Sequence, residues 1–94
     1  MNEREGKTLL ICVEEKILHM GLSPKGVLLY GIFSSLPHIK DQYGTYCTIS
    51  YKQIGDFLEC SNANIRRLVQ ELMRAGLVKS KRKDGFGGYI KYYI

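Results

Sequence analysis

The sequence predicts an α+β fold, mainly α, on three observations. Apolar residues recur at helical spacing through much of residues 7–75. Two serine-capped segments, residues 51–58 and 62–75, stand three residues apart, the separation expected of a helix-turn-helix. Residues 78–94 then alternate around a glycine-rich turn, the pattern of a β-hairpin. A chain of 94 residues can build one core and is short for a separate catalytic domain.

The elements follow in order. Leu9, Leu10, Val13, Ile17, Leu18 and Met20 recur at three- and four-residue steps, which predicts an amphipathic helix over residues 7–19. The run Leu10-Ile-Cys-Val13 suits the start of a strand as well, and Gly21 ends the element in either case. Residues 1–21 are assigned to dimerisation and residues 22–94 to the main domain. Ser23 caps a second helix with Pro24 at its first position, where a missing N–H costs nothing. Val27, Leu28, Tyr30, Ile32, Phe33 and Leu36 give it a wide apolar surface, Gly26 and Gly31 permit close packing, and Pro37 stops it. Residues 38–47 are turn-rich and predict a loop, with brief strand pairing near residues 46–49.

Ser50 and Gln53 form the Ser-x-x-Gln pattern of a capping box, so a third helix starts there, with Ile54, Phe57 and Leu58 on one face. Gly55 sits where the two motif helices approach each other. Ser61 caps the fourth helix, whose Ile65, Leu68, Val69, Leu72 and Met73 form one apolar stripe. Its opposite face holds Ala63, Arg66, Arg67, Gln70 and Arg74. Gly76 ends it, and Leu77-Val78 begins the hairpin.

Charge is segregated along the chain. Residues 1–47 carry five bases and five acids, whereas residues 48–94 carry nine bases against four acids, so the whole net charge of +5 lies on the helix-turn-helix and hairpin. Such a distribution marks a polyanion-binding face, because phosphate neutralisation releases condensed counterions. Hydrophobic residues at 45% and charged residues at 24% exclude a disordered chain.

Asn62 and Asn64 stand in the first turn of the fourth helix, where amide groups and the helix dipole favour a phosphate oxygen. Arg66, Arg67, Gln70 and Arg74 are suited to a major groove, Arg67 and Gln70 foremost, since Arg bonds guanine and Gln bonds adenine in bidentate fashion. Ser50, Tyr51 and Lys52, at the start of the positioning helix, are further DNA-binding candidates, and Lys79, Lys81, Arg82 and Lys83, on the hairpin, would track a phosphate backbone or place a cation in the minor groove. The competing readings are a solvated helix face paired with Glu71, and a basic edge strand that only discourages aggregation.

Other chemistry is weakly supported. Gly85, Gly87 and Gly88 lack the Gly-Lys-Ser/Thr and the following helix of a phosphate loop. His19, His38 and Asp41 have no partner nucleophile at a known spacing, so no enzyme is expected. Cys12, Cys47 and Cys60 form no metal-binding pattern and are expected to be reduced thiols, with no cofactor. Tyr89, Tyr92 and Tyr93 suit a strand better than base stacking, and RNA binding is disfavoured for want of an aromatic sheet signature. With no signal-like or membrane-spanning run, cytoplasmic residence is expected.

The run from Ser50 through Leu72-Met-Arg-Ala-Gly-Leu-Val78 resembles the winged helix-turn-helix superfamily of bacterial, plasmid and phage DNA-binding proteins, and Ser23-Pro-Lys-Gly-Val-Leu-Leu-Tyr30 resembles the opening helix of its replication-initiator-like members. Gly55 stands where that superfamily usually has Ala, and Phe57 and Cys60 are less typical. The resemblance covers residues 22–94 and implies a homodimer on double-stranded DNA with the hairpin as wing. It implies a plasmid or phage partition adaptor that binds a centromere, or an autorepressor, with a filament-forming or replication protein as partner. A transcriptional regulator or replication accessory is the alternative. From another class, a protein-interaction module would dock an acidic partner on the same basic face.

Overall fold

A computed structural model describes residues 15–83 and 89–94, and in it the three longest helices each start at a serine. Among the described residues the order is α1 (Glu15–Leu18), α2 (Pro24–Ser35), β1 (Ile39–Asp41), β2 (Gly44–Ser50), α3 (Tyr51–Leu58), α4 (Asn62–Arg74), β3 (Ser80–Lys83) and β4 (Tyr89–Tyr93). The result is a small α+β domain of four helices and one antiparallel sheet with strand order β1-β2-β4-β3.

Local chemistry sets the helix boundaries. Ser23 Oγ accepts from the Gly26 amide, Ser50 Oγ from the Gln53 amide and Ser61 Oγ from the Asn64 amide, each satisfying one of the orphan donors of a helix start. At α3 the box is complete, because Gln53 Oε1 accepts from the Ser50 amide at 3.2 Å. Leu36, extended before Pro37, closes α2. Gly76, at φ +78°, closes α4, and the amides of Leu77 and Val78 turn back to the Leu72 carbonyl. That return keeps residues 77–78 at the helix end, so β3 begins at Ser80 and not at Val78.

The three-residue turn between α3 and α4 is capped without glycine. Glu59 takes the left-handed conformation at φ 54° and its amide donates to the Gly55 carbonyl. A Cβ on Gly55 would lie 3.2 Å from the Cys60 carbonyl oxygen and 3.8 Å from Ile65 Cδ1, so the close approach expected there is made to the turn and to α4 together.

One expectation is overturned. Residues 38–47 are not a loop with a short pairing at their end, since β1 and β2 form a hairpin from Ile39 to Ser50 and β2 is the longest strand. Asp41 Oδ1 accepts from the Tyr43 amide across the tight turn, and Gly44 at φ +129° lets the chain re-enter the sheet. The expected helix over residues 7–19 coincides with α1 at Glu15–Leu18; the remainder, the strand alternative at residues 10–13 and the wing turn at residues 84–88 lie outside the described residues.

The core lies between the helices and one sheet face. Leu29, Ile32 and Phe33 of α2, Ile54 and Leu58 of α3, and the stripe Ile65, Leu68, Val69 and Leu72 of α4 pack with Cys47, Ile49 and Tyr92 of the sheet. Tyr92 stacks on Phe33 at 4.5 Å between ring centroids. Its hydroxyl is buried without a hydrogen-bond partner among the described residues, and burial raises its pKa. Burial likewise pushes the Cys47 thiol up to about 11, which holds it protonated and unreactive. No helix among the described residues is long and apolar enough to cross a membrane.

Candidate nucleic-acid interface

With the α4 stripe fixed in the core, helical geometry turns the rest of that helix outward. Asn62, Asn64, Arg66, Arg67, Gln70 and Arg74 are all exposed, and among the described residues no hydrogen bond or ion pair holds any of their side chains. Arg67, Gln70 and Arg74 recur at three- and four-residue steps and share one line along the helix, with Arg66 at its flank. Asn62 and Asn64 point about 200° apart, on opposite flanks of the first turn, so they cannot act as one pair.

The acid that would neutralise this face is engaged elsewhere. Glu71 is at i, i+4 from Arg67, yet its carboxylate accepts from the Ser23 amide at 2.6 Å and from Ser23 Oγ at 2.9 Å. Ser23 therefore caps α2 and ties that helix start to the middle of α4. Gly26 leaves room for the carboxylate, since a Cβ there would meet Glu71 Oε2 at 2.5 Å. Ser23, Pro24 and Lys25 of the α2 start face Asn64, Arg67, Leu68 and Glu71 of α4 across a shallow groove.

At the start of α3, Ser50 is consumed by its cap and Tyr51 is half-buried against the core. Lys52 projects to solvent and makes an exposed pair with Asp56 at 3.6 Å, worth little in water.

Strand alternation divides the hairpin cations. Lys81 pairs with Tyr92 and Lys83 with Ile90, so both point to the helix side of the sheet, whereas Arg82 pairs with Lys91 and points to the other side. Lys79 precedes the strand, exposed, with its amide donating to the Tyr93 carbonyl. Four cations read from the sequence as one cluster are thus distributed over two surfaces.

Arg82 belongs to a group that sequence reasoning did not assemble. Its guanidinium carbon lies 3.7 Å from the Tyr43 ring centroid and Lys91 Nζ lies 4.6 Å from that of Tyr46. Tyr93 donates to Asp41 Oδ2 at 2.6 Å, and Lys91 pairs with the same oxygen at 3.6 Å. The bond from Tyr93 chiefly holds the Asp41 carboxyl below its ordinary pKa, with the Tyr43 amide and Lys91 acting in the same direction. Burial, then the bond to Asp41, pushes Tyr93 up to about 12, while the adjacent Arg82 guanidinium lowers Tyr43. The signal available in the sequence was the alternation Tyr89-x-Lys91-x-Tyr93, which places those residues on one face once β4 is recognised as the strand paired with β2.

His38 and His19 show no catalytic arrangement: the His38 ring contacts the Phe33 carbonyl oxygen at 3.0 Å, and His19 lies 3.7 Å from the exposed Glu15 carboxylate. No group of three or more metal-ligating side chains occurs among the described residues. Comparisons with protein-family models, curated proteins and solved structures find no match to this chain.

Proposed function

We propose that this chain is a winged helix-turn-helix protein that binds double-stranded DNA by sequence, with α4 in the major groove and the β3–β4 hairpin as wing. The observation that carries the reading is the uncommitted line Arg67, Gln70 and Arg74 on a capped helix whose neighbouring acid, Glu71, is bound to Ser23. A protruding helix of 13 residues presents about 20 Å of length at 1.5 Å per residue, enough to lie along a groove. The strand order supports the wing, because β2, which runs directly into α3, pairs with β4 and so ties the hairpin to the same domain. Lys81 and Lys83, on the helix side, then supply phosphate contacts, and Arg82 does not.

One such helix reads few base pairs, and a homodimer on two half-sites about one helical turn apart raises specificity. The genetic role proposed with it, which rests on the resemblance of residues 22–94 alone, is a plasmid or phage partition adaptor or autorepressor, with a filament-forming or replication protein as further partner.

Selection of a preferred site from random duplexes, followed by titration of two variants, tests the proposal. Arg67→Ala should cost on the order of 1–3 kcal/mol at the preferred site and little elsewhere, whereas Lys81→Ala should weaken all duplexes alike and lower the salt slope by about one. Identical behaviour of both variants on all sequences would remove the groove assignment. Retention of an acidic protein partner at high salt, with no duplex binding, would replace DNA by protein as the ligand.

A further inference from the structure

The helices pack on the sheet face that carries Cys47, Ile49 and Tyr92, and the opposite face has a different chemistry. It carries Tyr46 and Thr48 from β2, Tyr89 and Lys91 from β4, and Arg82 from β3, over a buried Tyr93, with Tyr43 at the adjoining turn. Tyr43 is 59% exposed and Tyr89 41% exposed. The Arg82 guanidinium covers one face of the Tyr43 ring, so that exposure leaves the other open. Asp41, Tyr43, Arg82, Lys83, Lys91 and Tyr93 outline a shallow cleft of about 270 Å³. Two outward cations there, Arg82 and Lys91, meet one carboxylate, and Asp41 is already held by Tyr93 and Lys91.

From this juxtaposition we infer that the outer sheet face binds single-stranded nucleic acid, with a base stacked on the open face of Tyr43 and phosphates beside Arg82 and Lys91. Charge selects a polyanion, and the exposed ring selects one with free aromatic faces. A duplex does not qualify, because its base faces are occupied by one another and a sheet face offers no protruding element to enter a groove. Along β4 the four steps from Tyr93 to Tyr89 span about 13 Å, so a strand crossing the sheet passes Lys91 midway to a second exposed ring, Tyr89. This surface is separate from the α4 face, and either assignment stands without the other.

Fluorescence anisotropy with labelled 12-nucleotide oligo(dT) and oligo(U), beside a hairpin duplex, tests it. Tyr43→Ala should weaken binding of the single strands by about 5-fold to 100-fold, the range for loss of one stacked base, and Tyr43→Phe should restore it. Arg67→Ala should leave single-strand binding unchanged. Equal affinity for both oligomers places recognition in base face and phosphate, and a preference for one adds the sugar or the thymine methyl; both support the site. Because Tyr43→Ala also removes its contact with Arg82, amide shifts of the wild-type chain provide a second measure, and oligo(dT) should move those of residues 43, 46 and 91. Unchanged affinity in Tyr43→Ala, shifts confined to α4, or competition by oligoglutamate as strong as by oligo(dT) would each overturn the inference.

Discussion

Gly26→Ala should destabilise this protein, although replacing a helical glycine by alanine ordinarily stabilises a helix by up to about 0.5–1 kcal/mol, and Gly26 lies in the first turn of α2. The reason is spatial: the new Cβ would lie 2.5 Å from Glu71 Oε2 and 3.1 Å from Glu71 Cδ. Glu71 is flexible at that end and would move, losing the bonds it accepts from the Ser23 amide and hydroxyl. A charge-assisted bond in a buried setting contributes about 1.5–3 kcal/mol, and partial exposure at this site lowers that to about 1–1.5 kcal/mol for each of the two bonds. After the propensity gain, the net loss is about 1–2 kcal/mol. Urea unfolding, read as a lower midpoint at unchanged slope, measures it. In a Glu71→Ala background the carboxylate is absent, and the same Gly26→Ala change should revert to a gain of about 0.5–1 kcal/mol. Stabilisation by Gly26→Ala in both backgrounds would show that the Ser23–Glu71 contact contributes nothing and that α4 is not tethered to α2 in this way.

Three further outcomes are expected. Tyr92→Phe removes a buried hydroxyl that has no partner among the described residues and keeps the ring stacked on Phe33, so stability should stay level or rise by about 1 kcal/mol; a loss greater than that would reveal a partner. Ser50→Ala dismantles the capping box of α3 and should cost about 0.5–2 kcal/mol in thermal or urea unfolding, with no measurable cost counting against the box. Asp41, whose pKa is lowered in the fold, stabilises the β1 edge above the ordinary carboxylate value and loses that contribution as pH falls through the lowered one. Tyrosine near-ultraviolet circular dichroism should therefore show an acid step below about pH 4 that Asp41→Asn abolishes, and a step that persists in the variant would assign it to another group.

The α3–turn–α4 segment was legible because its determinants are local. Ser50 with Gln53, Ser61, and Gly76 act within a few residues of themselves, and the α3 and α4 boundaries follow from them to within one residue. The β1 strand was not legible, since Lys40, Asp41, Gln42 and Gly44 carry the composition of a turn and the strand is secured by Tyr93 and Lys91, some fifty positions away. Glu71 was open to misreading for the same reason. Its sequence neighbour Arg67 offers a helical ion pair, while its actual partner, Ser23, lies 48 positions back. Of the candidate interface, the outward direction of the α4 side chains could be calculated from periodicity, but the separation of Arg82 from Lys81 and Lys83 required the register of β3 on β4.

That register has a kinetic corollary. Although residues 89–94 come after every other element, β4 fills the slot between β2 and β3, and Ile94 also bonds back to Thr45. Until it inserts, the β1–β2 hairpin and β3 share no ladder, and half of the platform beneath the helices is missing. Closure of such distant pairings slows folding and makes it late and cooperative. Shortening the chain at residue 88 should yield a species with its helical segments intact by propensity yet no shared sheet to hold them, rather than a domain with a frayed edge.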